Sequence, residues 1–268
     1  MTIYHLSYTK MTKPIINWVG GKRTQTKYLH SLFPDNYEYF IEPFFGGGAV
    51  YFHIEPSKAI ISDSNESLMT MYQDVKDDVE LVIDHLRILL AYHHKDQYYR
   101  IRDIYNTKDV DSSYRSACFI YLNKCAYGGM YRVNMQGHMN TPYGKPPVCV
   151  LDDLRTASKA LERATIMSCS FELIPVKANA FYYLDPPYME TFQKYTQTRF
   201  DLDCHSRLLE WCNAINDAGS KFLMSNSNTD AVTSLYKGYE IIRHSTSQGL
   251  MKASSKSSKL EELLIKNY

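Results

Sequence analysis

The sequence predicts an α/β protein, an open and mostly parallel sheet interrupted by a helical insertion, and three observations predict it. First, the short apolar run Tyr39-Phe40-Ile41-Glu42 leads through Pro43-Phe44-Phe45-Gly46-Gly47-Gly48-Ala49-Val50 into a helix, and Ala59-Ile60-Ile61-Ser62 then ends at Asp63. Strand, glycine turn, helix, strand and terminal acid make a Rossmann-like order. Second, the apolar run Phe181-Tyr182-Tyr183-Leu184 is stopped by Asp185-Pro186-Pro187-Tyr188, because proline lacks the N–H that a sheet ladder needs. Third, the apolar period turns helical between the two.

The elements follow in order. Residues 14 to 66 hold Trp18-Val19-Gly20-Gly21-Lys22, then the first strand, glycine turn and second strand. Residues 67 to 162 read as mostly helical: Leu81, Ile83, Leu86, Leu89 and Leu90 suggest one amphipathic helix, and Ala117, Phe119, Ile120 and Leu122 another. This stretch becomes irregular at Tyr127-Gly128-Gly129-Met130-Tyr131-Arg132-Val133-Asn134 and at Asn140-Thr141-Pro142-Tyr143-Gly144-Lys145. Residues 163 to 268 return to alternation, with strands at Ile166-Met167-Ser168 and Tyr182-Tyr183-Leu184 and a helix from about Leu208 to Ala218 that Gly219 closes. A strand at Phe222-Leu223-Met224, a helix near Asp230 to Tyr236, and strands at Tyr239 to Ile242 and Glu262 to Ile265 complete it. The low-complexity tract Ser254-Ser255-Lys256-Ser257-Ser258 is expected to be a mobile loop before the last strand.

At 268 residues the chain can bury a real core. Its 30 Lys+Arg nearly balance 29 Asp+Glu, so global charge announces no nucleic-acid partner and any basic surface must be local. Most of the 23 tyrosines are expected to fill core and surface. Cys118, Cys125, Cys149, Cys169, Cys204 and Cys212 form no C-x-x-C pair and read as free thiols of a reducing compartment. His93-His94 has no matching ligand cluster and reads as a solvated helix face. Met1 to Lys13 is polar, and no stretch approaches the roughly 20 apolar residues of a membrane span. The expectation is a soluble, cytoplasmic protein, without a membrane partner.

Two places carry chemistry. Gly46, Gly47 and Gly48 permit positive φ and close backbone approach to a ligand. With no G-x-G-x-x-G and no lysine after the glycines, a dinucleotide or triphosphate fits poorly, and Phe44 and Phe45 suit an uncharged or cationic nucleoside better. Asp63, at the end of the second strand, is placed to accept from two ribose hydroxyls. Asp185 and the Pro186 carbonyl stand at a strand's carboxyl end, where open α/β sheets place ligands. These acceptors suit an exocyclic amine, with Tyr188 stacking on the ring that bears it.

Together these stretches resemble the Dam-type DNA adenine-N6 methyltransferases of bacteria and phages, over roughly residues 14 to 268. Trp18-Val19-Gly20-Gly21-Lys22 is similar to the family's W-x-G-G-K motif, and Glu42-Pro43-Phe44-Phe45-Gly46-Gly47-Gly48 to its E-P-F-x-G-x-G motif. Tyr131-Arg132-Val133-Asn134 with Asn140-x-Pro142-Tyr143-Gly144 resembles its DNA-recognition hairpin. Ser225-Asn226 and Lys259-Leu260-Glu261-Glu262-Leu263-Leu264 resemble later core motifs.

The resemblance implies a Rossmann-like methyltransferase sheet (residues 14–66 and 163–268) with an inserted, mostly helical DNA-recognition domain (67–162). It implies S-adenosylmethionine as methyl donor, double-stranded DNA as partner, GATC as target, and no metal. Trp18 and Lys22 are expected at the donor's methionine end and Asp63 on its ribose; Phe171 packs on its adenine, with Phe44, Gly46, Gly48 and Asp185 also lining its site. Asp185, Pro186 and Tyr188 are the expected catalytic residues, acting on a flipped adenine. Arg132 is expected to read a guanine and Tyr127 and Met130 to wedge beside the vacated base, while Asn134 belongs to the same DNA-binding hairpin. Lys124, Lys145, Lys252, Lys256 and Lys259 are candidate phosphate contacts. Two features depart from the family: Asn17 stands where a lysine often precedes the tryptophan, and Gly144-Lys145-Pro146-Pro147 lacks the aromatic expected after the hairpin. Both bear on the outermost base pair. Methylation of an RNA base or a protein glutamine, and a DNA-binding relative without catalysis, stay open. So does a cognate restriction endonuclease; a monomer in solution is expected.

Overall fold

A computed structural model describes residues 12–147, 150–188, 200–246 and 260–268. After a short helix α1 (Thr26–His30) come β1 (Tyr39–Glu42), α2 (Ala49–Ile54) and β2 (Ala59–Asp63), then α3 (Glu66–Asp77), α4 (Val79–Ala91), α5 (Lys95–Thr107), α6 (Ser112–Cys125) and α7 (Leu151–Leu161). The chain returns to strands with β3 (Ala164–Ser168) and β4 (Ala180–Leu184), then α8 (Leu202–Asp217), β5 (Lys221–Ser227), α9 (Asp230–Leu235), β6 (Glu240–Thr246) and β7 (Leu260–Lys266). The seven strands form one sheet in the order β3-β2-β1-β4-β5-β7-β6. β1 to β5 are parallel, and β7 runs antiparallel between β5 and β6.

Parallel strands are covered on both faces and so read as continuous apolar runs, and the period of two divides them here. Phe40, Ile61, Phe181, Tyr183, Leu223 and Leu264 point into one core with α3, α4, α6 and α7. Ile41, Ile60, Tyr182, Leu184, Phe222 and Met224 point into the other, against Leu208, Trp211 and Ile215 of α8. Tyrosine is core material: Tyr51, Tyr72, Tyr98, Tyr105, Tyr121, Tyr182, Tyr183 and Tyr236 are among the largest fully buried side chains.

The helices start on caps the sequence supplies: Asn65 accepts from Leu68 N–H, Asp78 from Leu81 N–H and Asp201 from Cys204 N–H. Gly219 follows α8 with φ +71, the left-handed turn that ends a helix.

Several expectations are corrected. β5, β6 and β7 are each longer than the runs Phe222–Met224, Tyr239–Ile242 and Glu262–Ile265, because ladder pairing continues into polar residues at their ends. Leu81 is exposed on α4 rather than part of its buried stripe. His93 is not on a solvated helix face: it sits half-buried after α4, its Nδ1 2.7 Å from the Tyr121 hydroxyl and its ring stacked on Tyr143. His94 caps α5 by accepting from Gln97 N–H. Among the described residues Cys118, Cys125, Cys169 and Cys212 are free thiols. Cys149, the tract Ser254–Ser258, Lys252, Lys256 and Lys259 lie outside the described residues. No helix among the described residues is long and apolar enough to cross a membrane.

Candidate active site

β2, β1 and β4 lie side by side and end in acids at the same edge: Asp63, Glu42 and Asp185. Neighbouring strands are about 4.8 Å apart, so Asp63 and Asp185 stand roughly 10 Å apart along this edge. The edge is also where strand order reverses, β2 lying to one side of β1 and β4 to the other, which opens a crevice.

The glycine loop crosses this crevice. Phe45 N–H donates to Ser62 O and Gly48 N–H to Phe45 O. Gly46 and Gly48 have φ +48 and +66. The close approach they permit is to the protein's own rings: a Cβ on Gly46 would lie 2.6 Å from Trp18 Cδ1, and one on Gly48 would lie 2.5 Å from Phe45 Cζ. Trp18 therefore lies across the glycine loop, and its ring stacks on Tyr131. Asp63 fixes the loop from below, its Oδ2 accepting Gly46 N–H and its Oδ1 accepting Asn65 N–H, both at 2.9 Å. Burial raises the Asp63 carboxyl, and those N–H groups oppose the rise. A carboxylate offers about four acceptor sites, so two bonds do not exhaust it.

Residues after β1 and β3 form an aromatic cluster. Phe171 is buried, with ring centroids 5.5 Å from Phe44, 6.2 Å from Phe200 and 5.6 Å from Trp211.

The Asp185 end is ionic. Pro186 is buried and Asp185 partly so. Lys22 is 6% exposed, and its Nζ lies 2.9 Å from Asp185 Oδ1 and 2.9 Å from Glu262 Oε1. The ammonium also donates to the Tyr188 hydroxyl at 2.7 Å, beneath the Tyr188 ring, and that hydroxyl donates to Glu262 Oε1. Burial works to lower the Lys22 ammonium, but Asp185, Tyr183 and Glu262 together hold it above the usual lysine range. Burial pushes the Asp185 carboxyl up to about 6, against the pull of Lys22 and with a push from Glu262. Burial, and after it the Asp185 charge, raises Glu42 well above the carboxylate range; its Oε2 accepts Tyr51 N–H at 3.2 Å.

The irregular part of the insertion is a hairpin. Val133 pairs with Met139, and Asn140 N–H donates to Arg132 O. Asn134 shapes the tip, its Oδ1 accepting Gln136 and His138 N–H. α5 holds the hairpin: Asn106 exchanges two hydrogen bonds with the Met139 backbone, and Tyr98 donates to Thr141 O. Arg132 donates through Nε to Asn140 Oδ1 at 2.7 Å and through Nη2 to Asn140 O at 3.3 Å, which sets the plane of its guanidinium. Tyr127 is 64% exposed on the turn before the hairpin, with Met130 half-buried next to it. Lys145 is tied to the end of α6 through its N–H to Cys125 O, on the helix that bears Lys124. Burial pushes Lys124 down to about 8 against Asp153, and Arg23 and Lys145 add to the fall.

Of the expected site residues, Lys22 thus meets Asp185 and Tyr188, Gly46 meets both Asp63 and Trp18, and Phe44 meets Phe171, while Pro186 follows Asp185. Arg132, Asn134, Tyr127, Met130, Lys124 and Lys145 belong to the adjoining hairpin region. Sequence reasoning assigned no role to Glu42, Asn140 or Glu262. The signal for Glu262 was an acid two residues before Leu264, on the same face of a buried strand. Among the described residues no group of three or more His, Cys, Asp or Glu is placed to hold a metal.

The sequence profile of the D12 class N6 adenine-specific DNA methyltransferases matches residues 18–249. The chain is 36% identical to the type II methyltransferase M.MjaIII of Methanocaldococcus jannaschii, over 96% of this chain and 99% of that one. It is 30% identical to the retron Ec67 DNA adenine methylase of Escherichia coli, over 91% and 88%. It is 26% identical to the DNA adenine methylase of Vibrio cholerae, over 95% and 96%.

Proposed function

This chain belongs to the D12 class of N6 adenine-specific DNA methyltransferases, and on that premise we propose that it transfers methyl from S-adenosylmethionine to a flipped adenine at GATC in duplex DNA. Residues 14–66 and 163–268 form its catalytic part, and 67–162 its DNA-recognition part.

The crevice residues fit that donor. The Phe44–Phe171–Phe200 cluster suits a planar base, and Asp63, two backbone bonds already made, retains acceptor capacity for ribose hydroxyls. Trp18 and Lys22 are the residues we place at the methionine end. When bound, S-adenosylmethionine supplies a methyl group on a positively charged sulfur.

The remaining work falls to the protein. An adenine N6 is tied up in pairing and stacking, so the base must leave the duplex, at a cost of a few kcal/mol. Its lone pair is delocalised into the ring. Asp185 and the Pro186 carbonyl accept the two N6 hydrogens, which favours a pyramidal nitrogen with its lone pair turned toward the methyl group. Asp185 is also the group that takes the proton the methylated amine must lose. Tyr188 stacks on the base, Tyr127 and Met130 stand beside the gap it leaves, and Lys124 and Lys145 hold phosphates. Positioning and local electrostatics account for such catalysis.

The observation that carries this reading is the Asp185-Pro186 acceptor pair at the carboxyl end of β4, beside the reversal of strand order. The test is transfer of tritium from labelled S-adenosylmethionine to duplexes with one GATC, or with its adenine replaced by 2-aminopurine. Incorporation into the first alone is expected; equal incorporation into a duplex without GATC overturns the target assignment.

A further inference from the structure

Glu262 enters the crevice from an unexpected direction. β7 runs antiparallel to β5, so its beginning, not its end, lies at the carboxyl edge, where Glu262 pairs in register with Ser227. Leu263, Leu264 and Ile265 after it are fully buried, and Glu262 itself is 5% exposed. A residue kept for packing at such a position would be apolar. Instead its Oε1 accepts from both Lys22 and Tyr188, and its Oε2 has no hydrogen-bond partner among the described residues. A buried carboxylate oxygen without a partner is unfavourable, which argues that the charge is retained for the site rather than for the fold.

We infer that Glu262 is a positioning residue of the methyl-transfer site: by sharing the Lys22 ammonium, it keeps Asp185 from becoming that ammonium's sole counterion. The inference rests on the reading of Asp185 as the acceptor of the substrate amine. Lys22 is equidistant from the two carboxylates, 2.9 Å from each. Two carboxylates on one ammonium leave a net charge of −1, so Asp185 keeps acceptor strength for an N6 hydrogen. If Lys22 paired with Asp185 alone, the ammonium would compete with the substrate for the same oxygens. Glu262 acts on Tyr188 as well: the hydroxyl lies between Lys22 and Glu262 Oε1, which fixes the angle at which the ring is presented.

Among the described residues, the charged and titratable groups facing Asp185 are Lys22, Glu262, Glu42 and Tyr183. Asp185 accepts the amine hydrogens as a carboxylate, so kcat must fall on the acid side as Asp185 is protonated. The Glu262 charge raises that carboxyl, and its removal moves the acid limb to lower pH.

The experiment compares kcat and KM across pH for wild type, Glu262→Gln and Glu262→Asp, with thermal unfolding of each. Glu262→Gln should lose about tenfold or more in kcat with KM for DNA changed less than about threefold, and its acid limb should lie at lower pH. Glu262→Asp, which keeps the charge but withdraws it by one methylene, should lose kcat with its limb moved to lower pH by less than in Glu262→Gln, and it carries the test if the glutamine variant does not fold. Wild-type kcat in Glu262→Gln overturns the inference, as does an activity loss with an unmoved limb. A limb moved to higher pH in Glu262→Asp does the same. Asp185→Asn separates the underlying reading: if that variant keeps more than about a tenth of wild-type kcat, Asp185 is not the acceptor and the premise itself fails.

Discussion

Trp18 and Tyr131 stack with ring centroids 5.8 Å apart and planes 18° apart. Trp18 lies across the glycine loop, and Tyr131 is also stacked on Phe119 of α6, 4.8 Å away, directly before Arg132. One aromatic column thus joins the crevice to the hairpin. Asn123 of α6 reinforces the joint: it accepts Asn17 N–H and donates to both Asn17 O and Gly129 O.

The glycine loop depends on that tryptophan. Gly46→Ala would place a methyl 2.6 Å from Trp18 Cδ1 at φ +48, whereas Gly219→Ala, at φ +71, meets nothing within 4 Å. The second change should cost only backbone strain, roughly 1–2 kcal/mol. The first should add overpacking of about 1–3 kcal/mol. Urea unfolding of both variants measures the difference; equal losses would mean that Trp18 yields freely and does not hold the loop.

Asp63 serves the loop and, on our proposal, the donor's ribose. Asp63→Ala removes a charged acceptor from two hydroxyls, so affinity for S-adenosylmethionine should fall by roughly 1.5–3 kcal/mol. It also frees Gly46 and Asn65 N–H, so some stability should be lost too. Calorimetric titration of the folded variant decides: unchanged affinity removes Asp63 from the cofactor site.

The glycine loop and the Asp185-Pro186-Pro187-Tyr188 turn were legible as backbone because each is local: a handful of adjacent residues sets where the strand ends and how the chain turns. What could not be read was set by residues far apart in the chain. Lys22 looked like a ligand contact, yet its ion pairs reach 163 and 240 residues along, to Asp185 and Glu262. Glu262 was hidden because only the antiparallel placement of β7 brings a strand's beginning to the edge where the other strands end. His93 was misread for the same reason, since its partners Tyr121 and Tyr143 come from α6 and from the hairpin exit. The glycines announced a close approach correctly, but nothing local told that the approaching group was the chain's own tryptophan.

Arg132 is held in plane by Asn140. Arg132→Ala should lower discrimination at one guanine by about 1–3 kcal/mol with little change in nonspecific binding. Asn140→Ala should show a weaker form of the same defect, because the guanidinium loses its support but keeps its charge. Competition binding with single-substitution duplexes tests both. If Arg132→Ala weakens every sequence alike, its contact is to phosphate.

The last prediction concerns the outermost base pair. Asn17 stands where relatives in the resemblance often carry lysine, and its side chain is already committed: a Cβ on Gly129 would lie 2.3 Å from Asn17 Nδ2, so it packs under the turn that bears Tyr127. Its backbone is clasped on both sides by Asn123. An asparagine used this way, short and uncharged, has no reach toward a base edge. Pro146 and Pro147 after Lys145 stiffen the hairpin exit without a stacking face. Replacing the outer G·C that we place nearest Asn17 should therefore reduce kcat/KM by less than the roughly 1–3 kcal/mol of a fully read pair, while the G·C at the other end of the site, which we assign to Arg132, should show the full loss. Asn17→Lys should narrow the gap between the two, provided the longer side chain clears Gly129. Duplexes carrying one substitution at each position of the four-base site measure it. Equal and severe losses at both G·C pairs in the wild type would show that another residue has taken over the contact near Asn17.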